Sequence, residues 1–390
     1  MRLLFVKHSL VWPRSSGHDV HTFHMMKACG ELGHEISLAT VVPPEPKAIE
    51  GLTLRHYVRL TAPSDETSDS LTSTWLQGRF RSFWGVDDLH ALALKRAVDT
   101  QRPDAVIIVG LDALPYFPAL KGTVRIWYAA DEWVLHHLSM LQLRGGQLIE
   151  NLKAAAIKGL YERAHRRVVD RAWVVTDRDR VAMQRVAGIG RVDVLPNGVD
   201  SDFFKPGAEP VEDHTAVFWG RLDFGPNIQA LEWFCRKVWP RIRAASAEAR
   251  FKIVGFQPGD KVKDLANAPG ISLEANVRDL RPVVRRQALA VLPLVSGAGI
   301  KNKLLEAAAM GLPVVCTPLA TLGLRGQPPV IIASSADEFA DAVLAIWSDP
   351  QSREGRAKAI REWVKTNHSW RAAAETAMAA LANHSRSGQP

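Results

Sequence analysis

The sequence alternates short runs of apolar, often β-branched residues with longer segments whose apolar residues recur every three or four positions. The first run is "MRLLFV", and a helical segment over residues 18–32 stops at Gly33 before the next run, "EISLATV". Short buried strands that alternate with helices are typical of parallel sheets covered by helices on both faces. The alternation therefore predicts an α/β fold.

Two such series follow one another along the chain. Strands are expected at residues 104–109, 123–128 and 172–176, and then at 215–219, 251–254, 289–292 and 313–316. The segment between the series, "VLPNGVDSDFFKPGAEPVEDH", has the prolines, glycines and acidic residues that suit an interdomain linker. A length of 390 residues fits two α/β domains of roughly 150 to 200 residues each.

The pattern thus predicts a first domain over residues 1–195 and a second over 196–365. Residues 351–384 are expected to be mostly helical, with an interruption near "NHSW". They are too polar to form a third core. Residues 366–390 are therefore predicted to be a C-terminal helix that returns toward the first domain.

Charge and cysteine content narrow the class of protein. Lys and Arg (49) exceed Asp and Glu (41), and the formal net charge of +8 favours anionic partners. The interspersed signs and the lack of an RNA-binding motif argue against nucleic acid. Cys29, Cys235 and Cys316 are too far apart for a disulfide framework or a CxxC metal site, which favours the cytoplasm. No apolar run approaches the ~20 residues that cross a bilayer, so any membrane contact is expected to be peripheral, at the inner face of the plasma membrane.

The stretch "VSGAGIKNKLLEAAAMGLPVV", residues 295–315, carries the most specific functional signal. A glycine loop between a strand and a helix directs backbone N–H groups and the positive end of the helix at a ligand above the sheet. Lys301 and Lys303 lie at the start of that helix, where a cation is unfavourable with the helix dipole. Both features predict a bound phosphate.

Several segments together resemble the family 4 glycosyltransferases of the GT-B fold. They are "SGHDVHTFHMMKACGELGHEISLAT", "VLPNGVDSDFFKP", "VFWGRLDFGPNIQALEWF", "FKIVGFQPGDKVKDLANAPGISL" and "VRDLRPVVRRQALAVLPLVSGAGIKNKLLEAAAMGLPVVCT". Within that family, "DFGPN" and "GIKNKLLEAAAMGLPVV" are most similar to the PEP-CTERM-associated sugar transferases of exopolysaccharide systems. The resemblance covers nearly the whole chain, most strongly residues 190–325 and most weakly 42–100.

The resemblance implies two Rossmann-like domains that face a central cleft, with C-terminal helices packing back across them. It also implies transfer of a sugar from a nucleotide diphosphate sugar to a hydroxyl of a glycan or lipid-linked glycan, with retention of configuration. The expected pathway is exopolysaccharide or other cell-surface glycan synthesis. No metal or other cofactor is expected, because backbone donors and cations can stabilise the departing diphosphate.

Glu306 matches the family glutamate that accepts hydrogen bonds from the ribose hydroxyls of the nucleotide. The family usually has a second glutamate eight positions earlier, near the transferred sugar, and Ala298 stands there in this chain. The resemblance therefore assigns no residue to this sugar contact, and the PEP-CTERM-associated sugar transferases also lack this glutamate.

Arg221, in "GRLD", matches the family arginine that meets the diphosphate. A lysine usually follows five residues later, where this chain has Pro226, and we expect Lys301 or Lys303 to supply the missing charge. The residues expected to bind the donor are Ser16, Gly17, Arg221, Gly297, Gly299, Ile300, Lys301, Asn302, Lys303 and Glu306. The expected catalytic residues are Asp131, Arg221, Lys301 and Lys303.

In the first domain, Ser16 and Gly17 occupy the place of the family's first glycine-rich loop, although "SG" before a helix is also an ordinary turn. Asp131 and Glu132 follow the strand "RIWYAA", where the family has polar residues facing the reacting sugar. N-capping of the next segment is the alternative role for Asp131.

No metal site is predicted. His18, His21 and His24 recur every three residues and are expected to form a polar helix face. "DRD" at 177–179 and "DSD" at 200–202 have the spacing of the metal-binding triplet of GT-A glycosyltransferases. The first is expected to cap a helix and the second to lie in the linker.

Other functions remain open at this point. The fold also suits a nucleotide-sugar 2-epimerase, and Ala298 and Pro226 suit a catalytically degenerate binding module. The segment "STWLQGRFRSFWG", residues 73–85, is compatible with a membrane-surface segment, a stacking platform for RNA or a lid of the acceptor cleft.

Overall fold

A computed structural model describes residues 1–12, 17–60, 75, 87–130, 148–297 and 300–387. The chain divides into two compact units. The first comprises Met1–Leu195 with Trp370–Pro390, and the second is Pro196–Ser369. Apart from Trp75, the aromatic segment over residues 73–85 lies outside the described residues.

Within the described residues, the first unit contains seven strands that pair in parallel. They are β1 Arg2–Lys7, β2 Glu35–Thr40, β3 Leu54–Arg59, β4 Ala105–Val109, β5 Val124–Ala130, β6 Arg171–Val174 and β7 Val192–Val194. Their order in the sheet is β3-β2-β1-β4-β5-β6-β7. All five residues of β4, "AVIIV", are buried, as expected for a central strand covered on both faces.

Helices and short helical turns connect these strands. They are α1 Gly17–Glu31, α2 Pro46–Ile49, α3 Asp88–Gln101, a 3-10 turn at Leu114–Ala119, α4 Leu148–His165, α5 Asp177–Ala182 and a π turn at Met183–Ala187. The core between sheet and helices includes the fully buried side chains of Trp127, Tyr161 and Phe117.

The second unit repeats this plan. Its strands are β8 Glu212–Arg221, β9 Arg250–Phe256, β10 Ile271–Ala275, β11 Gln287–Leu292, β12 Val314–Cys316 and β13 Ile331–Ile332. They also pair in parallel, in the order β10-β9-β8-β11-β12-β13. Every residue of β11 is buried, and Phe218, Phe234 and Phe251 fill the core beside the sheet.

The helical segments of the second unit include two turns of other helix types. They are α6 Gly225–Trp233, a π turn at Phe234–Val238, α7 Trp239–Ala245, α8 Asp260–Leu265, α9 Arg281–Arg285, α10 Asn302–Met310, a 3-10 turn at Pro318–Thr321, α11 Ala336–Ser348 and α12 Pro350–Asn367. The domain boundary predicted at residue 365 lies within α12.

The last helix, α13 Trp370–Ser387, belongs to the first unit and packs on α1. The ring of Trp370 stacks on that of His24, with centroids 5.2 Å apart, and meets the ring of His21 edge-on. The predicted interruption near "NHSW" is confirmed, since His368 and Ser369 separate α12 from α13.

Each sheet reverses its strand order at one place, between β1 and β4 in the first unit and between β8 and β11 in the second. This is the arrangement of a Rossmann-like domain, in which ligands bind beyond the carboxyl ends of the strands at the reversal. The predicted α/β class with two Rossmann-like domains is confirmed.

The three cysteines are free and buried, and burial raises the pKa of each thiol to about 12. They are therefore inert core residues. Among the described residues, no helix combines the length and the apolar content that a membrane crossing requires.

Candidate functional site

The predicted phosphate-binding stretch lies at the strand reversal of the second unit. Strand β8 ends at Arg221, and the loop that follows the neighbouring strand β11 leads through Gly297 to helix α10. Gly297 has a φ of 105°, a backbone conformation that favours glycine. A Cβ at this position would contact Pro226 at 3.5 Å, so the loop lies against the start of α6. Ala298 and Gly299 lie outside the described residues.

Helix α10 begins without a side-chain cap, because Lys301 at its N-cap position makes no capping hydrogen bond. The first N–H groups of a helix need other partners, and an anion is a suitable one. The Nζ of Lys301 donates to the carbonyl of Gly297 at 3.1 Å and so holds the loop against the helix start. Its charge is thereby kept at the site where a phosphate is expected.

Glu306 lies one turn into α10 and is half-buried. Its Oε2 accepts a hydrogen bond of 2.7 Å from the indole Nε1–H of Trp219 on β8. Burial raises the pKa of the Glu306 carboxyl, whereas the Trp219 hydrogen bond and the charge of Lys303 lower it. The Trp219 hydrogen bond thus engages one carboxylate oxygen of Glu306 near the end of β8.

Lys303 points inward from α10. Its Nζ donates to Oδ1 of Asn227 on α6 at 2.9 Å and lies 5.3 Å from the centre of the Phe218 ring. Burial lowers the pKa of Lys303 to about 8, although the nearby Glu306 acts in the opposite direction. The ammonium is thus held in a largely apolar place between β8 and α6.

Arg221 lies at the very end of β8, and its side chain is half exposed. The guanidinium forms two hydrogen bonds with the carboxylate of Asp223, at 3.1 and 2.7 Å, and this pairing raises the pKa of Arg221. Asp223 would compete with an incoming phosphate for the guanidinium. Arg221 therefore stands at the predicted edge of the sheet, already oriented by a carboxylate two residues away.

Two further residues that were predicted to bind the donor, Ile300 and Asn302, make contacts within the second unit. Ile300 is buried, with 8% of its surface exposed. The Oδ1 of Asn302 accepts from Nδ2 of Asn197 at 2.6 Å, and the carbonyl of Asn197 accepts from Nδ1 of His368 at 2.8 Å. "VLPNGVD" was expected to be part of an interdomain linker, and its Asn197 is buried because it joins α10 to His368, which follows α12.

Sequence reasoning missed three residues that contact the predicted site residues Glu306, Lys303 and Arg221. They are Trp219, Asn227 and Asp223, respectively. Trp219 stands in an apolar strand, where a tryptophan predicts only core packing. Asn227 follows a proline in "GPN", which is also an ordinary helix start. Only Asp223, two residues after the arginine in "GRLD", carries a local signal, because the two charges are opposite and close in sequence.

In the first unit, Gly17 begins helix α1, whereas Ser16, Asp131 and Glu132 lie outside the described residues. Next to Gly17, Asp19 forms a buried ion pair of 2.8 Å with Lys7 at the end of β1. The carboxyl edge of the first sheet therefore also carries fixed charges.

The histidines that were expected to form a polar face on α1 are only partly exposed, since His18 and His24 are half-buried and His21 is buried. His21 is buried, and its Nδ1 makes a hydrogen bond of 2.7 Å with the hydroxyl of Tyr128. Burial and the charge of Lys7 lower the pKa of His18. His21 therefore lies between α1, strand β5 and α13, since its ring also meets that of Trp370 edge-on.

Among the described residues, no group of histidine, cysteine and carboxylate side chains is arranged to hold a metal ion. Asp177 and Asp179 lie in the first turn of α5, whose cap is the hydroxyl of Thr176. Asp200 accepts from the backbone N–H groups of Asp202 and Phe203 and so forms a turn. Both acidic triplets have local structural roles.

Residues 213–349 match the family model for glycosyl transferases group 1. Sucrose-phosphate synthase from Thermosynechococcus elongatus is similar over 100% of both chains, with 14% identity and a TM-score of 0.71. HepE from Anabaena, in complex with UDP and glucose, matches over 97% of this chain and 99% of its own, with 12% identity and a TM-score of 0.66. A TarM mutant from S. aureus, in complex with fondaparinux, α-GlcNAc-glycerol and UDP, matches over 97% and 99%, with 10% identity and a TM-score of 0.69.

No curated protein sequence matches the chain significantly. At identities this low, the structural matches establish similarity of fold alone. That fold agrees with the predicted GT-B architecture. The second unit carries the sequence features of group 1 glycosyl transferases, within a chain whose whole fold is similar to those of sucrose-phosphate synthase, HepE and TarM.

Proposed function

We propose that the chain is a retaining glycosyltransferase that takes a sugar from a nucleotide diphosphate sugar and transfers it to a hydroxyl of a glycan or lipid-linked glycan. The observation that carries the proposal is the joint placement of Glu306, Arg221 and the uncapped start of α10 at the strand reversal of the second unit. The match of residues 213–349 to group 1 glycosyl transferases supports the same activity.

In this proposal, Glu306 receives the ribose hydroxyls of the nucleotide, because Trp219 occupies only one of its oxygens. Arg221 and Lys301 meet the diphosphate together with the first N–H groups of α10. Charge that develops on a departing diphosphate is stabilised most by donors and cations that are already in place. Asp131, Ser16 and Gly17 keep the roles that the resemblance to family 4 assigns to them.

We further propose that the transfer needs no metal ion and serves exopolysaccharide or other cell-surface glycan synthesis. The first part is supported by the structural roles of both acidic triplets and by the cations at the site. The second is supported by the resemblance of "DFGPN" and "GIKNKLLEAAAMGLPVV" to the PEP-CTERM-associated sugar transferases. Transfer that stops with EDTA and returns with Mg²⁺ or Mn²⁺ would overturn the first part.

A peripheral contact with an anionic membrane surface on the cytoplasmic side is the third part of the proposal. Ile149, Leu152 and Leu160 lie on one side of α4 and are 78%, 47% and 57% exposed. Lys153 and Arg163 are exposed on the same helix. An outward helix face of apolar and basic side chains is typical of helices that lie at a charged membrane surface.

The proposed activity is tested with a thermal-shift panel of UDP-, GDP- and ADP-sugars, followed by assays of donor hydrolysis and transfer. A ligand at 100 times its dissociation constant should stabilise the protein by about 2.7 kcal/mol. Stabilisation together with turnover is the expected result. Binding without turnover would favour a catalytically degenerate binding module, and no stabilisation by any donor would overturn the proposal.

A further inference from the structure

Asn227 links the two elements that carry the cations of the site. It is buried, with 4% of its surface exposed, and both ends of its side-chain amide are used. The Oδ1 accepts from Nζ of Lys303 at 2.9 Å, and the Nδ2 donates to the backbone carbonyl of Arg221 at 2.6 Å. A single side chain therefore connects helix α10 to the end of strand β8.

Asn227 does not cap its own helix. It lies in the first turn of α6, which begins at Gly225, and a capping side chain would accept hydrogen bonds from the first N–H groups of that helix. Its side chain instead reaches back to Arg221 and across to Lys303. The contacts thus serve the turn between β8 and α6 rather than the start of α6.

Gly220 makes this arrangement possible. Its φ is 138°, and a Cβ at this position would lie 2.6 Å from Cε and 2.9 Å from Nζ of Lys303. Any larger residue would push the lysine away. The strand therefore passes directly over the lysine side chain at Gly220, one residue before it ends at Arg221.

The Lys303 ammonium would be costly to bury without partners. Its amide partner Asn227, the charge of Glu306 and the face of the Phe218 ring supply them. These contacts hold the ammonium between α10, α6 and β8. Its contacts support the elements that present the ligand-binding groups.

We propose that Asn227 is a positioning residue of the donor site, which fixes the turn that presents the Arg221 guanidinium by tying the Arg221 carbonyl to Lys303. The inference deepens the proposed function and rests on it. Preorganised charges stabilise a departing anion more than mobile ones, because no ordering remains to be done at the moment of reaction. Asn227 has this effect without touching the ligand.

The test compares Asn227→Leu, which removes both hydrogen bonds, with Asn227→Asp, which keeps an acceptor for Lys303 but loses the donor to Arg221. Gln287→Leu is the matched control. Gln287, the first residue of β11, also has a buried side-chain amide. Its Nε2 donates to the carbonyl of Val283 at 3.0 Å. If Asn227→Leu does not fold, Asn227→Asp carries the test.

The first readout needs no ligand. The backbone N–H of Leu222 donates to the carbonyl of Phe256 at 2.8 Å, and its hydrogen exchange reports on the turn after Arg221. We expect exchange at Leu222 to be at least 10-fold faster in both Asn227 variants and unchanged in Gln287→Leu. Unchanged exchange in the Asn227 variants would overturn the inference.

The second readout is the affinity for UDP, GDP and ADP, each compared with its nucleoside. We expect the Asn227 variants to bind the best nucleotide at least 10-fold more weakly and the nucleoside unchanged. In an Arg221→Ala background, the effect of Asn227→Asp should disappear, because residues that act through one group are not additive. Additive effects would overturn the inference.

Failure of the wild type to bind any of the three nucleotides would overturn the proposed function. Hydrogen exchange at Leu222 would then decide the positioning role alone. The two failures are therefore distinguishable.

Discussion

The indole Nε1–H of Trp219 and the Oε2 of Glu306 are joined by a hydrogen bond of 2.7 Å, although 87 positions separate the two residues. The bond ties the end of strand β8 to helix α10, the two elements that flank the candidate donor site. It also determines which carboxylate oxygen of Glu306 remains for a ligand. A tryptophan of the core thus has a direct effect on the proposed ribose contact.

Trp219→Phe removes this bond and keeps most of the ring. Because the acceptor is charged, we expect the free energy of unfolding to fall by about 1.5 to 3 kcal/mol. Trp239→Phe is the matched control, since its indole donates to the neutral carbonyl of Pro269 at 3.0 Å, and should cost about 1 kcal/mol. Denaturant unfolding and calorimetry measure both quantities. Only Trp219→Phe should weaken nucleotide binding, and equal affinities in the two variants would contradict the role of Trp219.

Glu306→Gln keeps an acceptor for Trp219 and removes the negative charge. We expect nucleotide affinity to fall by about 1.5 to 3 kcal/mol, the range for hydrogen bonds to a charged group. The loss should vanish with a 2′,3′-dideoxynucleotide, which has no ribose hydroxyls to offer. Isothermal titration calorimetry measures both ligands, and Glu338→Gln on α11 is the control. An equal loss with the dideoxynucleotide would exclude the ribose contact.

Arg221→Ala and Lys301→Ala should each lower kcat by about 10² to 10³ and change KM less, the effect of losing one preorganised charge-stabilising group. The double variant should be less impaired than the product of the two single effects, because both groups serve one diphosphate. Steady-state kinetics measure these values, and Arg250→Ala, at the opposite end of β9, is the control.

Lys303→Ala should also lower kcat, through loss of the support that Asn227 gives to Arg221. Near wild-type kcat in both Lys301→Ala and Lys303→Ala would show that the cation replacing the family lysine lies elsewhere. Arg14, which lies outside the described residues, is the next candidate.

Sedimentation with vesicles tests the proposed membrane contact. The wild type should bind phosphatidylcholine vesicles that contain 30% phosphatidylglycerol, and binding should fall with salt because charges are screened. Ile149→Ser with Leu160→Ser should weaken binding at least 10-fold, and Lys153→Glu should weaken it less. Val211→Ser with Leu322→Ser removes exposed apolar side chains of the second unit and is the control. Equal binding of neutral and anionic vesicles would contradict the proposal.

His165 makes the stability of the first unit depend on pH. Burial lowers the pKa of this histidine from 6.5 to about 4, so between these values the unfolded chain binds a proton that the folded chain does not. The contribution of His165 to the free energy of unfolding is therefore fully present above about pH 6.5. It falls by about 3 kcal/mol in all as the pH decreases toward 4. Denaturant unfolding from pH 4 to 7 should show this dependence, and it should be weaker in His165→Leu, where the lowered pKa of His18 still contributes. The same slope in both proteins would disprove the role of His165.

The strands that the sequence predicted are those with continuous apolar runs, such as β1, β4 and β11. All four strands that it missed, β3, β7, β10 and β13, lie at the edges of the two sheets. An edge strand is buried on fewer sides, so its residues need not be apolar, as in "LRHYVR" of β3, where four of the six residues are exposed. Strand pairing with a neighbour, rather than composition, forms these elements.

The sequence by itself determined the two Rossmann-like domains and pointed to the stretch that forms the candidate site, because buried parallel strands require apolar runs and a glycine loop before a helix is suited to a phosphate. Only the tertiary structure decided what each side chain of that site contacts. Trp219, Asn227 and Lys303 come from three elements, and their hydrogen bonds join positions 76 and 87 residues apart. No local pattern records such pairs, since they depend on how a buried donor finds its acceptor once the sheet and helices have packed.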